Sequence, residues 1–227
     1  KPNENAKVEV TLKETSVIYN GATQKPVIDE VTLDGKTLGS DDYTVSYKRG
    51  KVTITEDKDF VDVGTITVVV TPKANDNYDD LENVNATATF TINPKELTKE
   101  NAAVVLKEDF VTYNGAAQKP SIDNVTVDGK LLAEGDYTVS YKRGEDEITE
   151  DKDFVDAGTI TVVITGQGNF TGSTDATYVI NKLNVTLTVD HQTKNYGEET
   201  PEFTTPGEDA PVAENEASKA GDASGVA

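Results

Sequence analysis

The chain has no cysteine, no methionine and no tryptophan, and one histidine among its 227 residues. Without cysteine there is no disulfide framework, no thiolate nucleophile and no thiolate metal site. The lone histidine, His191, has no Ser or Cys partner pattern around it. Positive charge is scarce as well. Lys and Arg number 21 against 41 Asp and Glu, a formal net charge of −20. That balance argues against nucleic acid or an anionic membrane as partner, because both demand a basic patch. Its ordinary role is solubility. No run of about 18 apolar residues occurs, so no helical membrane insertion is expected. No signal-peptide pattern is visible from Lys1, and Lys1-Pro-Asn-Glu-Asn5 is expected to be the cut start of a longer parent.

What the chain does have is a repeat. Tyr43-Thr-Val-Ser-Tyr-Lys-Arg-Gly50 returns unchanged as Tyr137 to Gly144, 94 residues later. The same offset carries Tyr19-Asn-Gly-Ala22 onto Tyr113 to Ala116, and Ile54 to Asp62 onto Ile148 to Asp156. Aligned without a gap, residues 19–70 and 113–164 agree at 39 of 52 positions. Such self-similarity marks a tandem array, and each unit of about 90 residues is an ordinary domain size.

Within a unit the apolar residues alternate with Thr, Ser and Lys. Val8, Val10 and Leu12 share one face, as do Tyr43, Val45 and Tyr47, and Ile66, Val68 and Val70. Period-two alternation is the signature of half-buried strands. Asn20-Gly21 and Asp34-Gly35 supply turn signals, and Pro94 stops the last strand of the first unit. About seven short strands per unit, with no helical period, predict an all-β antiparallel sandwich of immunoglobulin-like type. The expected organisation is a disordered N-terminus at 1–6, repeat 1 at 7–94 and repeat 2 at 95–182. A fragment of a third unit at 183–205 and a disordered acidic tail at 206–227 follow. In the stretch 197–227, eight acids and one base surround too few aliphatics for a core. The join Pro94 to Asn101 contains neither Gly nor Ser, which predicts an elongated pair of domains with limited bending.

Three ordered blocks carry a family resemblance: Tyr-Asn-Gly-Ala-x-Gln-Lys-Pro (Tyr19 to Pro26, Tyr113 to Pro120), Asp-Tyr-Thr-Val-Ser-Tyr, and Ala157 to Gly172 ending in Gly-Gln-Gly-Asn-Phe-Thr-Gly. Residues 7–182 resemble the immunoglobulin-like repeats of large surface proteins from Gram-positive gut and oral bacteria. Repeat 1 departs from the last block, reading Pro72-Lys-Ala-Asn-Asp-Asn-Tyr78. The stretch Leu183 to Phe203, with Lys194-Asn-Tyr-Gly197, resembles the start of an MBG-type surface repeat. These resemblances imply export, tandem stalks and adhesins, and no particular ligand.

Candidate sites compete with plainer readings. Asn75, Asn77, Asp79 and Glu82 crowd oxygen donors into the enlarged loop of repeat 1, a weak calcium candidate against a solvated acidic loop. Glu56 to Asp62, repeated at Glu150 to Asp156, is a second acidic candidate against an exposed turn. Lys13 or Lys107 with Asn93 or Asn181 would be the partners of an intramolecular isopeptide bond, against ordinary surface residues. Tyr43, Tyr47, Tyr137 and Tyr141 either line a sugar-stacking face or point into the core. Four Asn-x-Thr sequons, at Asn85, Asn124, Asn169 and Asn184, carry no weight in a bacterial protein.

The expected function is non-catalytic. The repeats act as a stalk that spaces a distal domain from the cell wall of the parent surface protein, as a monomer without a cofactor. The alternative is an adhesion module that binds a host glycan or protein, with an exposed apolar patch on one unit only. A third class is an accessory module of a wall-attached carbohydrate-active enzyme.

Overall fold

The computed structural model describes residues 6–74, 81, 84–186 and 196–197. In repeat 1 the strands are β1 (Val8–Leu12), β2 (Ser16–Ile18), β3 (Ile28–Leu33), β4 (Lys36–Thr37), β5 (Tyr43–Arg49), β6 (Val52–Ile54), β7 (Gly64–Pro72) and β8 (Ala86–Asn93). After β9 (Lys95–Leu97) the series recurs as β10 (Ala102–Leu106), β11 (Phe110–Thr112), β12 (Ile122–Val127), β13 (Lys130–Leu131), β14 (Tyr137–Arg143), β15 (Asp146–Ile148), β16 (Gly158–Gly166) and β17 (Phe170–Asn181). The described residues hold short 3₁₀ turns but no α-helix, so none is long and apolar enough to cross a membrane.

Each repeat contains a three-stranded and a larger sheet. Repeat 1 has β1-β3-β4 and β2-β8-β7-β5-β6; repeat 2 has β10-β12-β13 and β11-β17-β16-β14-β15, with β9 added on β17. The sheets meet face to face. Val31 of β3 packs with Val68 and Val70 of β7, and Val8, Val10 and Leu12 close over them. Alternation along β7 is the cause: Ile66, Val68 and Val70 have no exposed surface, while the intervening residues face outward. Ile160, Val162 and Ile164 repeat this on β16. Asp34 and Gly35 have φ of 49° and 78°, the two positive values that a tight hairpin between β3 and β4 requires.

Two features depart from the expected pattern. First, three pairings are parallel: β2 with β8, β11 with β17, and β9 with β17. The first strand of each repeat is broken in two. The pairing of β1 with β3 shifts register between Thr11 and Leu12 and closes with Leu12 opposite Ile28. The chain then crosses to the other sheet and runs beside the last strand in the same direction. Second, Pro94 does stop β8, but the join does not stay outside the domains. Lys95 to Leu97 resume as a strand of repeat 2, and Leu97, 1% exposed, belongs to its core cluster.

The described residues up to Leu183 form one compact unit, so the two repeats are joined rather than merely strung together.

Candidate functional site at the repeat junction

Repeat 1 contributes a socket made of two loops. Asn20 caps its own turn: its Oδ1 accepts from the Ala22 N–H at 2.8 Å, while its carbonyl faces repeat 2. The second loop is the acidic run. Asp57–Phe60 forms a 3₁₀ turn, and Phe60 drops into the core with no exposed surface. Asp59 Oδ2 accepts from the Thr55 and Glu56 N–H groups at 3.1 and 3.0 Å. Arg49 then clamps the loop from below, donating to the carbonyls of Asp59, Val63 and Asp62 at 3.2, 3.1 and 2.6 Å. Gly64 makes room for that guanidinium. Its φ is 139°, and a Cβ there would collide with Arg49 Nη1. The outcome is a fixed ledge presenting the Asp62 carboxylate and the Val63 N–H.

Repeat 2 contributes a plug, the hairpin between β16 and β17. Asn169 Oδ1 accepts from the Val63 N–H at 2.8 Å, and its Nδ2 donates to Asp62 Oδ1 at 2.9 Å. This fixes the amide orientation, because the N–H can only donate and the carboxylate can only accept. The Asn169 carbonyl accepts from the Lys95 N–H at 3.0 Å, tying the join to the same residue. Beside it the Phe170 ring meets Tyr19 edge to face, with centroids 5.4 Å apart and planes at 80°. Tyr19 packs on the core clusters of both repeats. Lys130 Nζ donates to the Asn20 carbonyl at 3.3 Å. Gly172 has φ 73°, and a Cβ there would sit 2.7 Å from the Leu97 carbonyl, so only glycine lets β9 approach β17. The Gly-Gln-Gly-Asn-Phe-Thr-Gly block is therefore a docking device.

A cleft of about 220 Å³ remains at the junction, between Tyr19, Asn20, Lys130, Leu131 and Phe170. This is below the roughly 300–1,000 Å³ of small-molecule sites. A wider open groove of about 560 Å³ runs past Lys13, Val17, Gln24, Lys25 and Phe90. Gln24 Oε1 is buried without a hydrogen-bond partner, and so is its repeat-2 counterpart Gln118 Oε1, so the feature belongs to the repeat and not to a site on one copy.

The structure distributes the sequence candidates unevenly. The calcium candidates Asn75, Asn77, Asp79 and Glu82, and His191, lie outside the described residues. Among the described residues, no three acids or histidines are placed to hold a metal. The Glu56 to Asp62 run is an exposed turn whose Glu56, Asp59 and Asp62 carboxylates and Asp59 and Asp62 carbonyls are engaged within the protein, Glu56 pairing with Lys58 at 2.6 Å. Lys13, Lys107, Asn93 and Asn181 are all exposed. Thr174 is the one buried polar residue among the described residues, so the buried carboxylate that isopeptide chemistry needs is not among them. Tyr43, Tyr47, Tyr137 and Tyr141 are half-buried and pack against the cores. Tyr47 lies edge-on to Phe60 at 5.2 Å with Lys25 Nζ 4.9 Å over its ring; Tyr141, Phe154 and Lys119 repeat the arrangement. Burial pushes the Tyr47 and Tyr141 hydroxyls above their ordinary pKa.

Exposed apolar side chains occur on both repeats, at Ile18, Val27 and Val52 on one and Val105, Phe110 and Leu131 on the other. Val27 lies just before β3 and the others sit on different strands, as scattered surface apolar residues commonly do.

Sequence reasoning missed the junction. Its signal was the block that repeat 2 has and repeat 1 lacks, next to a join without flexible residues. Comparison with known protein families and with curated proteins finds no match.

Proposed function

We propose that residues 7–94 and 95–182 are immunoglobulin-like spacer domains of a Gram-positive cell-surface protein, non-catalytic and monomeric, which hold a more distal part of the parent away from the wall. One observation carries this reading: the join between the repeats is itself a strand of repeat 2, with Leu97 in its core. A spacer needs a defined orientation from unit to unit, and a join folded into the next domain supplies it. A tethered binding module would have no use for such a join. The broken first strand that leaves one sheet to pair with the last strand of the other supports the immunoglobulin-like assignment. The MBG-type assignment of 183–205 and the acidic tail at 206–227 fall largely outside the described residues and rest on the sequence alone.

The test is rotational diffusion of the whole chain by NMR relaxation, run beside a screen against host glycans and matrix proteins. The spacer reading expects common tumbling of both repeats and no saturable binding. Independent tumbling, or saturable binding mapped to one repeat, overturns it.

A further inference from the structure

Every group with which repeat 1 receives repeat 2 has a counterpart 94 residues on. Tyr19, Asn20 and Asp62 correspond to Tyr113, Asn114 and Asp156. Val63 corresponds to Ala157, and the junction uses only the backbone N–H of Val63. The scaffold under these groups recurs too. Asn114 Oδ1 accepts from the Ala116 N–H at 2.9 Å. Asp153 Oδ2 holds the Thr149 and Glu150 N–H groups at 3.1 and 3.0 Å. Arg143 donates to the Asp153 and Asp156 carbonyls at 3.1 and 3.0 Å, over Gly158 with φ 147°. Among the described residues, neither the Asp156 carboxylate nor the Ala157 N–H has a hydrogen-bond partner, and both ends of this ledge reach the surface.

We infer that the far end of repeat 2 is a preformed receptor for a further domain of repeat 2's own kind, a second copy of residues 95–182 bearing the Gly-Gln-Gly-Asn-Phe-Thr-Gly hairpin. The occupant follows from the existing junction, whose donors and acceptors the receptor reproduces on a similar support, with two of the three carbonyl bonds of the clamping arginine. The arrangement is also polar. Repeat 1 offers a socket but reads Pro72-Lys-Ala-Asn at the plug position, while repeat 2 has both plug and socket. Units of the second kind thus extend an array only toward the C-terminus. The inference stands on the junction geometry and not on the spacer role, which needs only the first junction.

Two experiments test it. In the first, a second copy of 95–182 is inserted after Lys182 in the full chain, and amide exchange is read at Ala157. The expected result is a slowing of about five- to tenfold, as one net hydrogen bond supplies. The slowing is abolished when the inserted copy carries the plug changes equivalent to Asn169→Ala and Phe170→Ala. Exchange at Ala157 that ignores the inserted copy overturns the proposal. The second experiment needs no added domain. Val63→Ala gives the first socket the residue identities of the second. Repeat 2 is expected to remain docked, with the Asn169 side-chain amide resonances retained. A shift of those resonances to free values shows that the second socket's composition cannot hold a plug, which also overturns it.

Discussion

Asn169 concentrates the coupling between the repeats in one side chain. Its amide spans a backbone donor and a carboxylate, and its carbonyl holds the join. Asn169→Ala removes the first two bonds and leaves the Val63 N–H unpaired. A loss of about 1–2 kcal/mol in coupling is expected. Denaturant unfolding followed separately in each repeat should change from one shared transition to two. The tyrosines make a second residue-scale prediction. Burial holds Tyr47 and Tyr141 above their ordinary value of 10.0, and Tyr43 adds to the effect at Tyr47. The folded chain therefore keeps these protons to higher pH than the unfolded chain. The stability they contribute is fully present below pH 10.0 and lost as pH rises through the raised values. Urea midpoints measured from about pH 8 upward should fall on the alkaline side. Tyr47→Phe with Tyr141→Phe should make that fall shallower.

At the scale of elements, the strands were readable where one face is buried and the other wet. β1, β5 and β7 lie where alternation put them, and the Asp34-Gly35 turn has the expected positive φ at both residues. Three features were not readable. β9 is three residues long, too short for any period, and its apolar content is Leu97 alone. The parallel pairing of β2 with β8 joins segments about 75 residues apart, and no local signal names such a partner. The acidic run looked like surface because five of its seven residues are charged, yet Phe60 anchors it and Arg49, eleven residues before Phe60, fixes its carbonyls. The strand assignment of β9 has a direct consequence. Leu97→Ala should destabilise repeat 2 by about 2–5 kcal/mol, as buried Leu truncations do, although the residue lies in the apparent linker. Hydrogen exchange resolved by residue would show the loss across β16 and β17. A loss confined to the join would mean that β9 is not part of that core.

For the molecule as a whole, the junction means that the stability of one repeat is read partly through the other. Tyr19 packs on both cores, so disorder in either repeat loosens the same ring. The broken first strand carries a further consequence. In each repeat the strand by which the chain enters lies parallel to the strand by which it leaves, β2 beside β8 and β11 beside β17. The backbone N–H of Tyr19 donates to the Asn93 carbonyl at 2.8 Å, and that of Tyr113 to the Asn181 carbonyl at 2.8 Å. Pulling on the two ends of such a repeat slides the paired strands along each other and strains all their hydrogen bonds at once. Antiparallel end strands would instead peel apart one bond at a time. Forced unfolding reports the unfolding rate and not equilibrium stability. Single-molecule stretching should therefore show Val17→Pro, within β2, lowering the rupture force of repeat 1 more than Thr53→Pro on the edge strand β6 does. Equal rupture forces would show that tensile load is carried elsewhere in the fold.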